Sequence, residues 1–105
     1  MDNKMKLLIV TVISHYEKKV LQFFKEANIE SFSGTHIEGY KDAPSIMANS
    51  SWFPSEKGGA NSIMFFTFTE DDKIDLFFTL VSQFNDNLKI NSPIHAVVAP
   101  IERSI

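Results

Sequence analysis

The sequence contains no cysteine, which removes disulfides, thiolate nucleophiles and thiolate metal sites in one step. Arginine is nearly absent as well. Arg103 is the sole arginine among ten basic residues, and the lysines are scattered, so no basic stripe exists to follow a phosphate backbone. Thirteen acidic residues bring the formal net charge to -3, and nucleic acid is not expected as a partner. No apolar run approaches the ~20 residues of a membrane-spanning helix. Residues 7–13 are apolar behind Lys4 and Lys6, yet Thr11 interrupts them, no small-residue cleavage site follows, and Glu17, Lys18 and Lys19 come at once. That pattern is a strand, not a secretory signal, and the expected location is the cytoplasm. Asn49-Ser50-Ser51 then matches a glycosylation sequon by pattern alone. No Gly-x-Ser-x-Gly elbow, Walker loop or His-Glu-x-x-His occurs, and no catalytic set assembles, so the chain is not expected to be an enzyme.

What is present is enough apolar material for one core. Over 105 residues, 44% are apolar and 12% aromatic, which fits a single domain spanning 1–105 and is too rich for a disordered chain. A β-branched stretch at 5–13 leads to Ser14 and Glu17, spaced like a capping box, and a helix is expected to follow. Tyr16, Val20, Phe23, Phe24 and Ala27 recur at helical spacing, with Lys18, Lys19, Gln22, Lys25 and Glu26 mostly opposite. Asn28 ends this helix, and residues 29–40 read as a second strand with room for a bulge at Gly34.

The second half repeats the grammar. Residues 63–68 predict a strand, Thr69 with Asp72 a second cap, and Ile74, Phe77, Phe78, Val81 and Phe84 a second helical stripe. After Asn85-Asp86-Asn87 a short turn is expected, and residues 95–101 then predict a last strand, with Pro100 placing its end at a sheet edge or beyond the pairing region. A β-α-β, β-α-β tandem predicts an α+β, ferredoxin-like βαββαβ domain with a four-stranded antiparallel sheet and both helices on one face. Residues 7–10 and 64–66 are apolar on both sides, whereas a sheet with one wet face should alternate. The second face is therefore expected to be covered by other copies of the chain.

Between the halves, residues 41–62 show no sustained period, and a connection of that length in so small a domain is usually functional or disordered. It carries Trp52 and Phe53 between Ser51 and Pro54, a pair suited either to tucking back on the domain or to docking a partner. His15, His36 and His95 lack the spacing of a helical metal pair, and only folding or subunit packing could gather them. The acidic run Glu70-Asp71-Asp72, with Asp75, is accounted for by a helix N-terminus.

The whole pattern resembles the PII signalling superfamily, including the related CutA proteins. The residues that carry the resemblance are Thr35-His36-Ile37-Glu38-Gly39-Tyr40, similar to the strand leading into that family's large T-loop, and Val97-Val98-Ala99-Pro100-Ile101-Glu102, similar to its last strand. Ser92-Pro93-Ile94 with Val98-Ala99-Pro100-Ile101 is similar to the final strand of CutA proteins. The resemblance implies a homotrimer with a T-loop-like insertion at 41–62 and small-effector clefts between subunits. Gly39, Tyr40, Lys41, Lys89, Glu102 and Arg103 are the ligand-binding candidates it implies, and Trp52 and Phe53 the partner-binding ones. The implied partner is an unidentified protein, with a membrane transporter or efflux system as one candidate. The sequence names no cofactor or effector: a nucleotide, an anion, a metal or none remain open. It departs from the nitrogen-sensing branch at 87–92, where one lysine and no glycine replace a phosphate-cradling turn, which argues against the usual nucleotide site. The alternatives are a CutA-like protein binding a divalent metal and an RNA-binding βαββαβ module. For the latter, an RNA-recognition alignment matches Phe65 and Phe68 but puts Ile63 at another aromatic position.

Overall fold

The computed structural model describes residues 5–38, 61–88 and 92–105. Strand β1 (Met5–Ile13) runs through a 3₁₀ turn (Ser14–Tyr16) into α1 (Glu17–Glu26), followed by β2 (Ser33–Glu38). The second half is β3 (Asn61–Glu70), α2 (Asp71–Asp86) and β4 (His95–Pro100). The sheet has the order β2-β3-β1-β4, and every pairing is antiparallel. This is the ferredoxin-like arrangement predicted from the alternation of elements. Pro100 ends β4, which pairs only with β1 and so forms an edge, where a missing N–H is tolerated.

Register sorts every strand residue onto one of two faces. Leu8 opposes Thr67 and Val98, and Val10 opposes Phe65 and Ala96, so these residues share the face that meets the helices. From the helices come Val20, Phe23, Phe24, Ile74, Phe77 and Val81, all buried in the same core. The Phe24 and Phe77 rings stack with centroids 4.8 Å apart and planes at 17°, joining α1 to α2. Both side chains are fully buried, which stabilises the fold by about 1.5–3 kcal/mol each. Lys6, on the helix side of β1, pairs with Asp71 at the start of α2 at 2.8 Å; both ends are partly exposed, and the contribution is small.

Helix α1 stops as the sequence predicts. Asn28 takes φ 60°, the left-handed conformation that asparagine tolerates. Its N–H donates to the Lys25 carbonyl at 3.1 Å, and that of Ile29 to Phe24 at 2.8 Å, the paired bonds of a Schellman motif. Ile29 is buried as the accompanying apolar contact. This shortens the second strand relative to the expected 29–40: Ile29 is committed to the helix end, and pairing begins at Ser33.

Both predicted caps are absent, and each for a tertiary reason. Ser14 Oγ donates to the Asn61 carbonyl at 2.9 Å instead of capping α1, tying the end of β1 to the start of β3. Thr69 is buried within β3, which extends to Glu70, and α2 has no side-chain cap. The insertion also ends earlier than the expected 62, because Asn61 and Ser62 pair with β2 as the first residues of β3. Gly34 makes no bulge: it lies in regular register opposite Phe65, whose ring occupies the space where a side chain would stand.

Candidate functional site

The sheet face turned away from the helices is apolar across three strands. It carries Met5, Leu7 and Ile9 from β1, Met64, Phe66 and Phe68 from β3, and Val97 and Ala99 from β4. Met5 is 48% exposed, Phe66 37%, Phe68 53% and Val97 43%, and the four form one patch of the kind that marks an interaction surface. Among the described strand residues of this face, Glu70 and His95 alone are titratable, and they occupy opposite corners: Glu70 opposes Met5, and His95 opposes Thr11. Thr11 and Ser62, on the same face near the His95 end, are fully buried.

This geometry decides against the stacking platform of an RNA-recognition module. Ile63 and Phe65, the aligned positions that would present rings to bases, face the helices at 3% and 4% exposure. Phe65 and Phe68, three residues apart on a strand, point to opposite faces. The open face also carries no lysine or arginine among its described strand residues.

The histidines do not come together. His15 lies in the 3₁₀ turn with its ring edge-on to Tyr16, His36 is exposed on edge strand β2, and His95 opens the opposite edge strand. Among the described residues no cluster of three or more His, Asp or Glu is placed to hold a metal ion. Asp71 and Asp72 occupy the first turn of α2, where carboxylates are favoured by the helix dipole.

Of the candidate site residues, Gly39, Tyr40, Lys41, Trp52, Phe53 and Lys89 lie outside the described residues. Glu102 and Arg103 are described and exposed, just beyond β4. They stand at the end of the sheet opposite to Glu38 and Asn61, between which the insertion runs. Beside them, Met5, Lys6, Pro100, Ile101 and Ser104 line a cleft of about 410 Å³. The length of β4, ~20 Å at 3.3–3.4 Å per residue, separates the two ends. A single chain therefore does not bring the C-terminal pair to the base of the insertion.

One positioning residue escaped the sequence reading. Asn85, in the last turn of α2, donates from Nδ2 to the Ile94 carbonyl and accepts the Ile94 N–H at Oδ1, both at 2.9 Å. This two-way clamp fixes the entry of β4 against the end of α2. In sequence the Asn-Asp-Asn run marks only the approach to a turn, and the fold alone reveals the partner nine residues away.

No family model and no curated protein matches the sequence. Solved structures do match, over nearly the full chain. The chain and CPII of Thiomonas intermedia K12, a nitrogen regulatory PII-like protein bound to ADP, AMP and bicarbonate, superpose with a TM-score of 0.61 at 10% identity, covering 96% of each. Arabidopsis thaliana PII bound to citrate gives 0.66 at 10% identity, covering 95% of this chain and 79% of that one. The B. subtilis GlnK–ATP complex gives 0.62 at 9% identity, with 94% and 84% covered. The domain thus belongs to the ferredoxin-like α+β class, two helices packed on one face of a four-stranded antiparallel sheet. Within that class its fold is the one shared by PII-like signalling proteins.

Proposed function

We propose that the chain is a PII-like regulator: a homotrimer of single 105-residue domains, without enzymatic activity of its own, that takes a small effector between subunits and answers through its long insertion. The observation that carries this reading is the apolar open face of a sheet with PII-like topology, where Met5, Phe66, Phe68 and Val97 stand exposed in the single chain. Association of copies through that face removes the patch from water and sets sheet ends of neighbouring subunits side by side. The effector cleft then draws on two chains, with Gly39, Tyr40, Lys41 and Lys89 from one and Glu102 and Arg103 from its neighbour. The separation, within one chain, of Glu102 and Arg103 from Glu38 and Asn61, between which the insertion runs, supports a shared site.

The physical logic is a population shift. An effector that contacts the loop base in one conformation only biases which loop shape a partner meets, by the difference in its affinity for the two. Trp52 and Phe53 are the proposed partner anchors, since aromatic side chains dominate binding energy at interfaces. The partner is a protein, with a membrane transporter as the leading candidate. Among the described residues no helix is long and apolar enough to cross a membrane, and the regulator itself is proposed to be cytoplasmic.

The structural neighbours hold ADP, AMP and bicarbonate, citrate, or ATP. A thermal-shift screen with these ligands and with divalent cations is the test. A ligand that binds only the native state raises the melting temperature, by about 2.7 kcal/mol of stabilisation at a hundredfold excess over Kd. Stabilisation by one of them, lost in Lys89→Ala or Arg103→Ala, supports the site. A flat response across all of them contradicts it.

A further inference from the structure

We propose that the cleft between the end of α1 and the lead-in to β2 binds a free α-amino acid with an apolar side chain, its carboxylate held by Lys25 and its ammonium by Glu30. The cleft has a volume of about 520 Å³, within the range of small-molecule sites, and is lined by Leu21, Lys25, Asn28, Ile29, Glu30 and Phe32. It shares no residue with the effector cleft proposed above, and one chain supplies all of its walls.

The walls follow from how the chain turns. Leu21 and Lys25 stand four residues apart on α1 and so form one ridge. Asn28, at φ 60°, reverses the chain, and the bonds from the Asn28 N–H to Lys25 and from the Ile29 N–H to Phe24 hold that turn closed. The lead-in then runs back along the helix, because α1 leaves the sheet end near Ser62 and β2 enters at Ser33, beside Phe66, to finish at Glu38, beside Asn61. Along that axis Lys25 lies beyond Leu21, and Glu30 comes before Phe32. Both charged residues are therefore set toward the Glu70 end, where Glu30 also borders a smaller cavity with Thr69, Glu70 and Lys73, and both apolar ones behind them. Ile29, 3% exposed, supplies buried apolar surface between the walls. Phe32 is held against Phe24 with ring centroids 4.5 Å apart and remains 37% exposed, and the Thr67 hydroxyl donates to the Ser31 carbonyl, fixing the lead-in from the sheet.

The two charges do not neutralise each other. Among the described residues neither Lys25 nor Glu30 makes an ion pair, and the Asn28 amide makes no side-chain hydrogen bond, although all three border one cleft. Opposite charges at one end of an apolar trough match a small molecule that carries both signs close together with an apolar group behind them. An α-amino acid has that arrangement: carboxylate toward Lys25, ammonium toward Glu30, and side chain on Leu21, Ile29 and Phe32. Charge-assisted hydrogen bonds hold its head, and its side chain leaves water. Walls already fixed by backbone bonds and ring packing reduce the ordering cost of binding.

The test is calorimetry of the full chain at neutral pH with L-phenylalanine and L-leucine as probes, beside glycine, N-acetyl-L-phenylalanine and phenethylamine. The expected result is binding of at least one probe, weakened by roughly threefold to tenfold or more when the side chain, the ammonium or the carboxylate is missing. Lys25→Gln and Glu30→Gln should each weaken it by a similar factor and leave the melting temperature of the unliganded chain unchanged, since both side chains are exposed. No binding of either probe at millimolar concentration overturns the proposal. Binding that both variants leave unchanged overturns it too, since the ligand then sits elsewhere. Phenethylamine bound as well as phenylalanine removes the role of Lys25 and with it the amino-acid assignment. Should a variant fail to fold, methyl NMR of the unaltered chain decides: Leu21 and Ile29 resonances that do not move on adding the probes refute the site. None of these outcomes bears on the PII-like reading, which stands or falls with the ligands named for it.

Discussion

Gly34→Ala adds one methyl group to an edge strand and should nonetheless destabilise the domain. A Cβ at that position would stand 2.8 Å from both Cδ1 and Cε1 of Phe65, closer than van der Waals contact allows. The ring has little freedom to yield: Phe65 is 4% exposed and meets Phe24 edge-on at 5.6 Å and Phe32 at 5.9 Å. Overpacking of a filled site costs about 1–3 kcal/mol. Against this stands the smaller gain of ~0.5–1 kcal/mol from replacing glycine inside a strand. The net loss is ~1–2 kcal/mol, or a fall of roughly 4–16 °C in melting temperature at ~4–8 °C per kcal/mol for a domain near this size. Measured under conditions where the assembly state does not change, thermal and urea unfolding should agree on that loss. Phe65→Leu is destabilising by itself, yet in its background the Gly34→Ala penalty should shrink, giving a favourable coupling energy in a double-mutant cycle. A neutral or stabilising Gly34→Ala, or strict additivity with Phe65→Leu, refutes the claim that the ring fills the glycine's missing side chain.

Two further outcomes follow from the proposed function. Mg-ATP should bind weakly or not at all by calorimetry, because residues 87–92 carry no glycine to bring backbone amides close to phosphate oxygens; a sub-micromolar affinity contradicts that argument. Replacing Trp52 and Phe53 together by alanine should leave the melting temperature nearly unchanged while abolishing capture of a partner in pull-down. A loss of ~3 kcal/mol or more, as for an emptied core site, would assign the pair to the core instead.

Much of the architecture is legible in the sequence because it follows from local pattern. The stripes at Val20, Phe23 and Phe24 and at Ile74, Phe77 and Val81 turn up in one core, and Asn28 stops α1 through the backbone conformation its residue type favours. The apolar alternation on both sides of β1 and β3 signals a second face, and Phe66, Phe68 and Val97 stand there exposed. What sequence does not reveal is where polar side chains find partners. Ser14 reaches a carbonyl 47 residues away and Asn85 clamps Ile94, choices set by tertiary proximity and not by cap or turn preference. The C-terminal end of β3 is hidden for a similar reason: Thr69 faces the helices, so a polar residue type sits at a buried position. The candidate site is legible only in part, since its C-terminal pair and the base of its insertion lie at opposite ends of the sheet in one chain, a separation that local sequence pattern does not reveal.

The measurement that bears most directly on the account is the mass of the full chain in solution, by multi-angle light scattering or sedimentation at micromolar concentration and neutral pH. The account predicts three times the 11.9 kDa chain mass, falling to the single-chain value in a folded Phe66→Glu, Phe68→Glu variant, where charges on the open face would have to be buried. A clean monomer for the unaltered chain, or a trimer that persists in the variant, contradicts it.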